Sequence, residues 1–325
     1  MPVVRQRRQL ANLVLGLSVM PAAMLAAAWL APFFWWADLA AVFAVQVAAC
    51  LLASCLVLAW ARRWRWLVAI GTLAVLACIR LPPMWFGTPG GATSGAPLRV
   101  LAINLLRDNE DAGAVLAAVA QWSPDLIVWS EATPTWERAL TPLRKEYPFG
   151  DGKWDPGYFG IALWSRLPVR DLRVVPLGYD WAPAVTALVT TSAGEVGVVG
   201  FHPPRPGVGH RTAERDAALA ALPDLLAGLP PRRVVAGDGN ATRWNPTFSR
   251  MLAATGLRDS SDGFGWQASW PAAAPWFLRI PIDQVLVSGG IGVRERAVGP
   301  FVGSDHLPVF ADLLVPAEAA PGTSR

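Results

Sequence analysis

Cysteine is scarce in this chain: Cys50, Cys55 and Cys78 are the only three among 325 residues, and all lie in apolar stretches of the first quarter. The rest of the sequence cannot rely on disulfides. With only His202, His210 and His306 as histidines, it also lacks the clustered Cys and His of a structural zinc site. Lysine is nearly absent, with Lys145 and Lys153 alone, so arginine carries the positive charge, as in a GC-rich bacterial coding sequence. The Gly-rich run TPGGATSG has no following Lys-Ser/Thr and no strand-to-helix setting, which excludes a phosphate-binding P-loop. No repeat of fixed period appears, which excludes a solenoid.

What is abundant is apolar residue. At 53% hydrophobic and a mean hydropathy of +0.35, the chain exceeds the range of ordinary soluble enzymes. The excess gathers at the front, in residues 11–30, 38–60 and 66–79. A spanning helix needs ~20 mostly apolar residues, so three are expected, the third reaching that length only with flanking residues included. A cleaved signal peptide is disfavoured because two further apolar runs follow. Arg5, Arg7 and Arg8 precede the first run, Arg62, Arg63 and Arg65 separate the second from the third, and APFFWWAD between the first two carries no Lys or Arg. The positive-inside rule then predicts a multi-pass bacterial membrane anchor over residues 1–86, with a cytoplasmic N-terminus and everything after it outside. Trp35, Trp36, Trp60, Trp64, Trp66 and Trp85 fall near the run ends, where interfacial aromatics concentrate.

Charge divides along the same line. Seven of 28 basic and one of 24 acidic residues precede Leu98, so the net +4 is +6 on the membrane part and −2 on the rest. The basic pI is topogenic and does not argue for nucleic-acid binding.

Residues 87–97, GTPGGATSGAP, read as a flexible linker, residues 98–317 as one domain and residues 318–325 as a frayed tail. Strand-like runs recur at 98–104, 125–131, 160–166, 184–191, 196–202, 232–238, 282–288 and 307–315, and helical spacing at 111–121, 211–228 and 245–255. Thr212 and Asn245 are expected N-caps for the last two. Many strands with few helices predict an α/β fold, two packed β-sheets flanked by helices.

Polar residues stand at the edges of these strands: Asn104, Glu131, His202, Asp238, Asn240, Asp283, and the pair Asp305–His306. A sheet scaffold presents a site in this way. Singly, each has a bland reading, a turn former or a satisfied histidine. Together, Glu131, Asp305 and the Asn104 amide oxygen would suit a hard divalent cation, Mg²⁺ or Mn²⁺.

Taken in order, INLLRDN, PDLIVWSEAT, YFGIALWSR, GFHPPRP, VVAGDGNAT, IPIDQVLVS and GSDHLPVF resemble the endonuclease/exonuclease/phosphatase superfamily of DNase I-like enzymes, over about residues 98–315. The resemblance implies a four-layered α/β sandwich and metal-dependent cleavage of phosphoesters. It places Asn104, Glu131 and Asp305 at the metal. It makes His306 the catalytic histidine, Asp283 the carboxylate that orients it and His202 the second histidine, with Asp238 and Asn240 positioning water and phosphate oxygens. Gly239 and Ser130 depart from the common pattern, where a bulky apolar residue and a Gln are usual. In layout the chain also resembles a three-helix-anchored, VanJ-like group associated with glycopeptide-antibiotic resistance.

Substrate is argued from location. A flexible linker of this length spans ~20 Å, which favours a phosphorylated lipid-linked substrate at the bilayer. The alternatives are a tethered nuclease, if Arg205, Arg211, Arg215 and Arg243 converge on the cleft, and a non-catalytic envelope-binding module. His210 matches no motif. The aromatic-rich residues 264–277 are expected to pack as core under a loop, ahead of a cleft rim or a membrane contact.

Overall fold

Alternating and continuous apolar runs become strands wherever a second sheet covers them, and that is how residues 96–315 are organised in the computed structural model. The structure describes residues 2–81, 85, 89–207 and 210–317. The expected tail, 318–325, lies outside them. The chain divides into two units, residues 1–82 with 243–249, and residues 83–242 with 250–325.

The first unit is helical: α1 (Pro2–Leu30), α2 (Trp35–Ala41), α3 (Ala44–Trp60) and α4 (Trp64–Ile79). Leu25, Val47, Leu51, Leu58, Ile70 and Ala74 pack between the helices, and the Ser18 and Ser54 hydroxyls meet at 2.9 Å. Asn245 donates its amide to the Asp38 carboxylate at 2.7 Å. The expectation of three spanning helices is corrected here. Among the described residues one helix, Arg5–Leu30, is long and apolar enough to cross a membrane. The second apolar run is broken between α2 and α3 with a bend of 62°, and α4 has 16 residues, ~24 Å at 1.5 Å per residue. Residues 39–45 across the break, LAAVFAV, are all apolar, so hydropathy could not reveal it.

In the second unit the strands are β1 (Ala96–Asn104), β2 (Leu126–Ser130), β3 (Gly152–Lys153), β4 (Ile161–Ser165), β5 (Val169–Tyr179), β6 (Ala182–Thr191), β7 (Gly194–Gly200), β8 (Arg233–Asp238), β9 (Leu257–Asp259), β10 (Asp283–Ser288), β11 (Gly292–Val298) and β12 (Val309–Val315). They form two six-stranded sheets, ordered β11-β12-β1-β2-β4-β3 and β5-β6-β7-β8-β10-β9. Each sheet is mixed, with β1 parallel to β2 and β7 parallel to β8. Val100, Ala102, Val128 and Leu163 of one sheet pack against Val185, Val198, Val234 and Val285 of the other. The outer face of the first sheet buries Leu101, Ile103, Trp129 and Trp164 with Val115 and Val119 of α5 (Ala112–Trp122) and Trp136 and Leu140 of α6 (Pro134–Leu140). α7 (Arg211–Ala227) buries Ala218, Leu219, Leu222 and Leu226. α8 (Pro246–Thr255) follows β8 in the chain.

All eight expected strands are present. The strands not anticipated include β5 and β11, which stand at sheet edges. β5 carries Arg170, Asp171, Arg173 and Pro176, and β11 carries Arg294, Glu295 and Arg296. Edge strands hold charges and proline that block further pairing, so no apolar run marks them. Thr212 does not cap α7, whose N-cap is His210; its hydroxyl bonds the Gly207 carbonyl instead.

The linker reading also changes. β1 begins at Ala96, inside the supposed linker, and Ala92 N–H donates to the Gly290 carbonyl at 3.1 Å. Gly91 has φ +98°, and a Cβ there would lie 2.1 Å from the Ile291 carbonyl oxygen. The glycines allow close backbone approach rather than freedom.

Tyr147 is fully buried in the outer core and donates its hydroxyl to the Pro124 carbonyl at 2.9 Å. Burial pushes its phenol up to about 12. The folded protein therefore keeps this proton after an unfolded chain, with an ordinary tyrosine near 10, has lost it. The associated stability is complete below pH ~10 and is lost as pH rises to ~12. Urea midpoints should fall across this window, and Tyr147→Phe should flatten the slope.

Candidate active site

Strand register brings the polar strand ends together. Asn104 closes β1 beside Ser130 in the parallel pair, which puts Glu131 one residue further on. Asp238 at the end of β8 is the register partner of Asp283 at the start of β10. His202 follows β7 by two residues, and Asp305–His306 precede β12. Glu131 and Asn240 hold positive φ, +53° and +46°, uncommon for residues with side chains. Such backbone outliers cluster at functional sites.

His306 is buried, with Nδ1 2.9 Å from Asp283 Oδ2. Its Nε2 lies 3.7 Å from Asp238 Oδ2 and 4.0 Å from Asp305 Oδ1. His202 Nε2 approaches Asp238 Oδ2 from elsewhere at 3.4 Å, and its buried Nδ1 has no hydrogen-bond partner among the described residues. Asn240 donates its backbone N–H to Asp238 Oδ1 at 2.8 Å and its amide to the Pro203 carbonyl at 3.0 Å. Burial opposes charge on His306, but Asp283 and Asp238 outweigh it and carry the imidazole up to about 10. His202 is raised too, against its own burial, by Asp238. Burial likewise opposes charge on Asp238, yet the two imidazoles hold it down to about 2. The site is thus a carboxylate clasped between two imidazoles.

Asn104 does not present the oxygen expected of a ligand. Its Oδ1 accepts from the Leu106 N–H at 3.0 Å, while Nδ2 faces Asp238 Oδ2 at 3.0 Å and Glu131 Oε1 at 3.3 Å. Two adjacent carboxylates require a donor between them, which orients the amide this way. Glu131 Oε2 accepts from the Arg107 backbone N–H at 2.9 Å. Single ligand-capable atoms of Asp238, Asp283 and His306 lie within 4.8 Å of one another. The His306–Asp283 hydrogen bond already engages two of these residues, and the remaining strand-end carboxylates are Glu131, Asp238 and the exposed Asp305. All three offer carboxylate oxygens, the chemistry a hard divalent ion requires.

Three residues escaped sequence reasoning. The Ser269 hydroxyl donates to Asp283 Oδ2 at 2.5 Å. Trp270 Nε1 donates to Asp305 Oδ2 at 3.1 Å. Ser304 Oγ donates to the Asn104 carbonyl at 2.8 Å and accepts from the His306 N–H, tying the last loop to β1. Only the clustering of aromatics around Trp270 gave a signal. Core packing explains that stretch incompletely: Ser269 is buried, but Trp276, Phe277 and Leu278 are exposed. His210, which matches no motif, is exposed and pairs with Glu214 at 3.3 Å. Gly239 is explained by space, since a Cβ there would sit 3.3 Å from Gln284, Ile282 and Phe201 atoms at once.

Ser269 is a positioning residue, acting through Asp283 on His306. Ser269→Ala should lower kcat about tenfold with little change in KM, and Ser269→Thr should restore most of it. A Thr variant no better than Ala would show that the hydroxyl is dispensable.

No curated protein matches the chain. Among solved structures, TDP2 from D. rerio complexed with a single-strand DNA product is similar at TM-score 0.57 and 16% identity, covering 67% of this chain and 99% of that one. An endonuclease/exonuclease/phosphatase from Beutenbergia cavernae DSM 12333 matches at TM-score 0.52 and 20% identity, over 68% and 72% of the two chains. Sphingomyelinase C from Streptomyces griseocarneus matches at TM-score 0.50 and 18% identity, over 66% and 99%. At these identities the likeness is one of fold. Residues 101–306 match the Endonuclease/Exonuclease/phosphatase family directly, and this span, which contains every strand-end residue described above, makes the chain a member of that family.

Proposed function

We propose that this chain is a membrane-anchored, divalent-metal-dependent phosphoester hydrolase acting on lipid-linked phosphates or pyrophosphates of the bacterial cell envelope, in the manner expected of the VanJ-like layout. The observation that carries the hydrolase reading is the buried Asp283–His306 pair facing Asp238 and Asp305. A phosphoester resists attack because it is anionic, so its hydrolysis needs positive charge on the phosphoryl oxygens and groups that move protons to and from the reacting oxygens. Glu131 and Asp305 would hold Mg²⁺ or Mn²⁺, which neutralises that charge when bound.

His306 has Nδ1 committed to Asp283, so Nε2 is the edge left for a phosphoryl oxygen or a reacting proton. Asp238, ionised and centred between the two imidazoles, is placed to orient the attacking water, with the Asn240 N–H holding its other oxygen. Location favours the lipid side of the reading: an apolar helix long enough to span lies near the N-terminus, and with Arg5, Arg7 and Arg8 before it a single crossing would put the enzyme domain outside the cytoplasm. The tethered-nuclease reading expected four arginines around a cleft. Arg215 is instead fully buried on α7 and bonded to Asp216.

The test is phosphate release by the full chain in detergent, with Mg²⁺ or Mn²⁺ and after chelation, from a polyprenyl pyrophosphate and separately from plasmid DNA. Metal-dependent lipid turnover supports the proposal. DNA nicking without lipid turnover replaces it with a nuclease, and no turnover of either overturns the enzyme reading.

A further inference from the structure

The chain segment between Phe264 and Ile282 contains a single ionisable side chain, Arg279. At its tip Trp276, Phe277 and Leu278 form one turn of 3₁₀ helix and are 67%, 54% and 50% exposed. Three consecutive bulky apolar residues in water are costly for a soluble surface. The tip is braced: Arg279 donates to the Ala272 and Ala274 carbonyls at 2.9 and 2.8 Å, Trp266 Nε1 donates to the Trp276 carbonyl at 3.0 Å, and Trp270 and Ile280 pair across the base. The base of the same segment reaches the candidate site, where Trp270 Nε1 bonds the Asp305 carboxylate and Ala272 N–H bonds its carbonyl at 2.7 Å.

A second observation says what covers this tip. Trp85 stacks on Trp266 with centroids 6.4 Å apart and planes 13° from parallel, and Trp266 is the residue that holds Trp276. Trp85 is itself 43% exposed and follows Ile79, the last residue of α4, by six positions. The contacts Trp85–Trp266–Trp276 therefore begin, in sequence, directly after the last apolar helix. Tryptophan and phenylalanine prefer the headgroup zone of a bilayer, and the segment carries no acidic group to be repelled by anionic lipid.

We propose that Trp276, Phe277 and Leu278 insert into the interfacial zone of the bilayer and so hold the mouth of the site beside Asp305 against the membrane surface, where a lipid-linked phosphate presents its headgroup. The inference deepens the lipid-phosphoester reading and rests on it for the identity of the substrate, though not for the contact itself. The tip acts as a docking element and takes no part in the chemistry.

The contact is read with the full chain in proteoliposomes of phosphatidylglycerol and phosphatidylethanolamine, carrying Leu278→Cys after Cys50, Cys55 and Cys78 are changed to alanine, and labelled with an environment-sensitive fluorophore. Blue-shifted emission, quenching by spin-labelled lipid and protection from iodide are expected. Emission at the aqueous wavelength with full iodide quenching overturns the proposal. Independently, a variant with Trp276, Phe277 and Leu278 all changed to serine should lose about tenfold in turnover of a bilayer-resident polyprenyl phosphate, while hydrolysing a water-soluble aryl phosphodiester as the parent does. Equal turnover of the bilayer substrate by parent and variant also overturns it. Should the parent hydrolyse neither substrate, the hydrolase reading fails while the fluorophore still decides the contact.

Discussion

His306→Ala is expected to reduce phosphoester turnover by about 10²–10⁴-fold, the range for removing a positioned acid–base group. The imidazole is buried, and one ring nitrogen is fixed by Asp283, so no other side chain can rotate into its place. His202 reaches the same Asp238 oxygen from a different strand end and cannot supply the Nε2 edge that faces Asp305. The loss should fall on kcat, because the carboxylates proposed to hold the cation remain. Asp283→Asn should cost a comparable factor, because the amide removes the charge that stabilises the imidazolium and can hold the ring in the other tautomer. Steady-state kinetics on the substrate that the parent hydrolyses decide the matter. A His306→Ala enzyme within a few-fold of the parent would remove this histidine from the chemistry and reopen the non-catalytic reading.

The second large effect is structural. Gly237→Ala is expected to cost about 4 kcal/mol or more, enough to leave little folded protein. Gly237 sits in β8 directly before Asp238 with φ +139°, and an added Cβ would lie 2.1 Å from the Phe201 carbonyl oxygen. The obstacle is backbone in the parallel β7–β8 pair, where Phe201 N–H bonds the Ala236 carbonyl at 3.1 Å. It cannot move without displacing His202 and Asp238 together. The measurement is the urea midpoint of the full chain in detergent alongside the parent. A variant with parental stability would mean that β8 relaxes at this point, and its turnover would then report how far Asp238 tolerates the shift.

The strand ends were legible because buried strands in a sandwich are continuous apolar runs, and a charged or amide residue closing such a run stands out. Asn104, Glu131, His202, Asp238, Asp283 and His306 were all found in this way. Ser269 was not: a serine between Ala268 and Trp270 has no distinguishing context until β10 brings Asp283 against it, 14 residues away. The orientation of the Asn104 amide was equally invisible, since it follows from the charges of Glu131 and Asp238 after folding. Charged edges such as Arg294–Arg296 hid β11, and uniform apolar composition hid the break between α2 and α3.

By itself, then, the order of apolar runs and the residues that end them determined the two-sheet class and most of the candidate site, because burial imposes composition directly, while the family was carried by the resemblance of the motifs at those run ends. Tertiary structure alone decided which polar groups share a proton or a carboxylate, that the supposed linker packs against Ile291, and that Trp276, Phe277 and Leu278 face outward. Those outcomes depend on contacts between segments distant in the chain, and local composition does not encode the distance at which two strands will set their side chains.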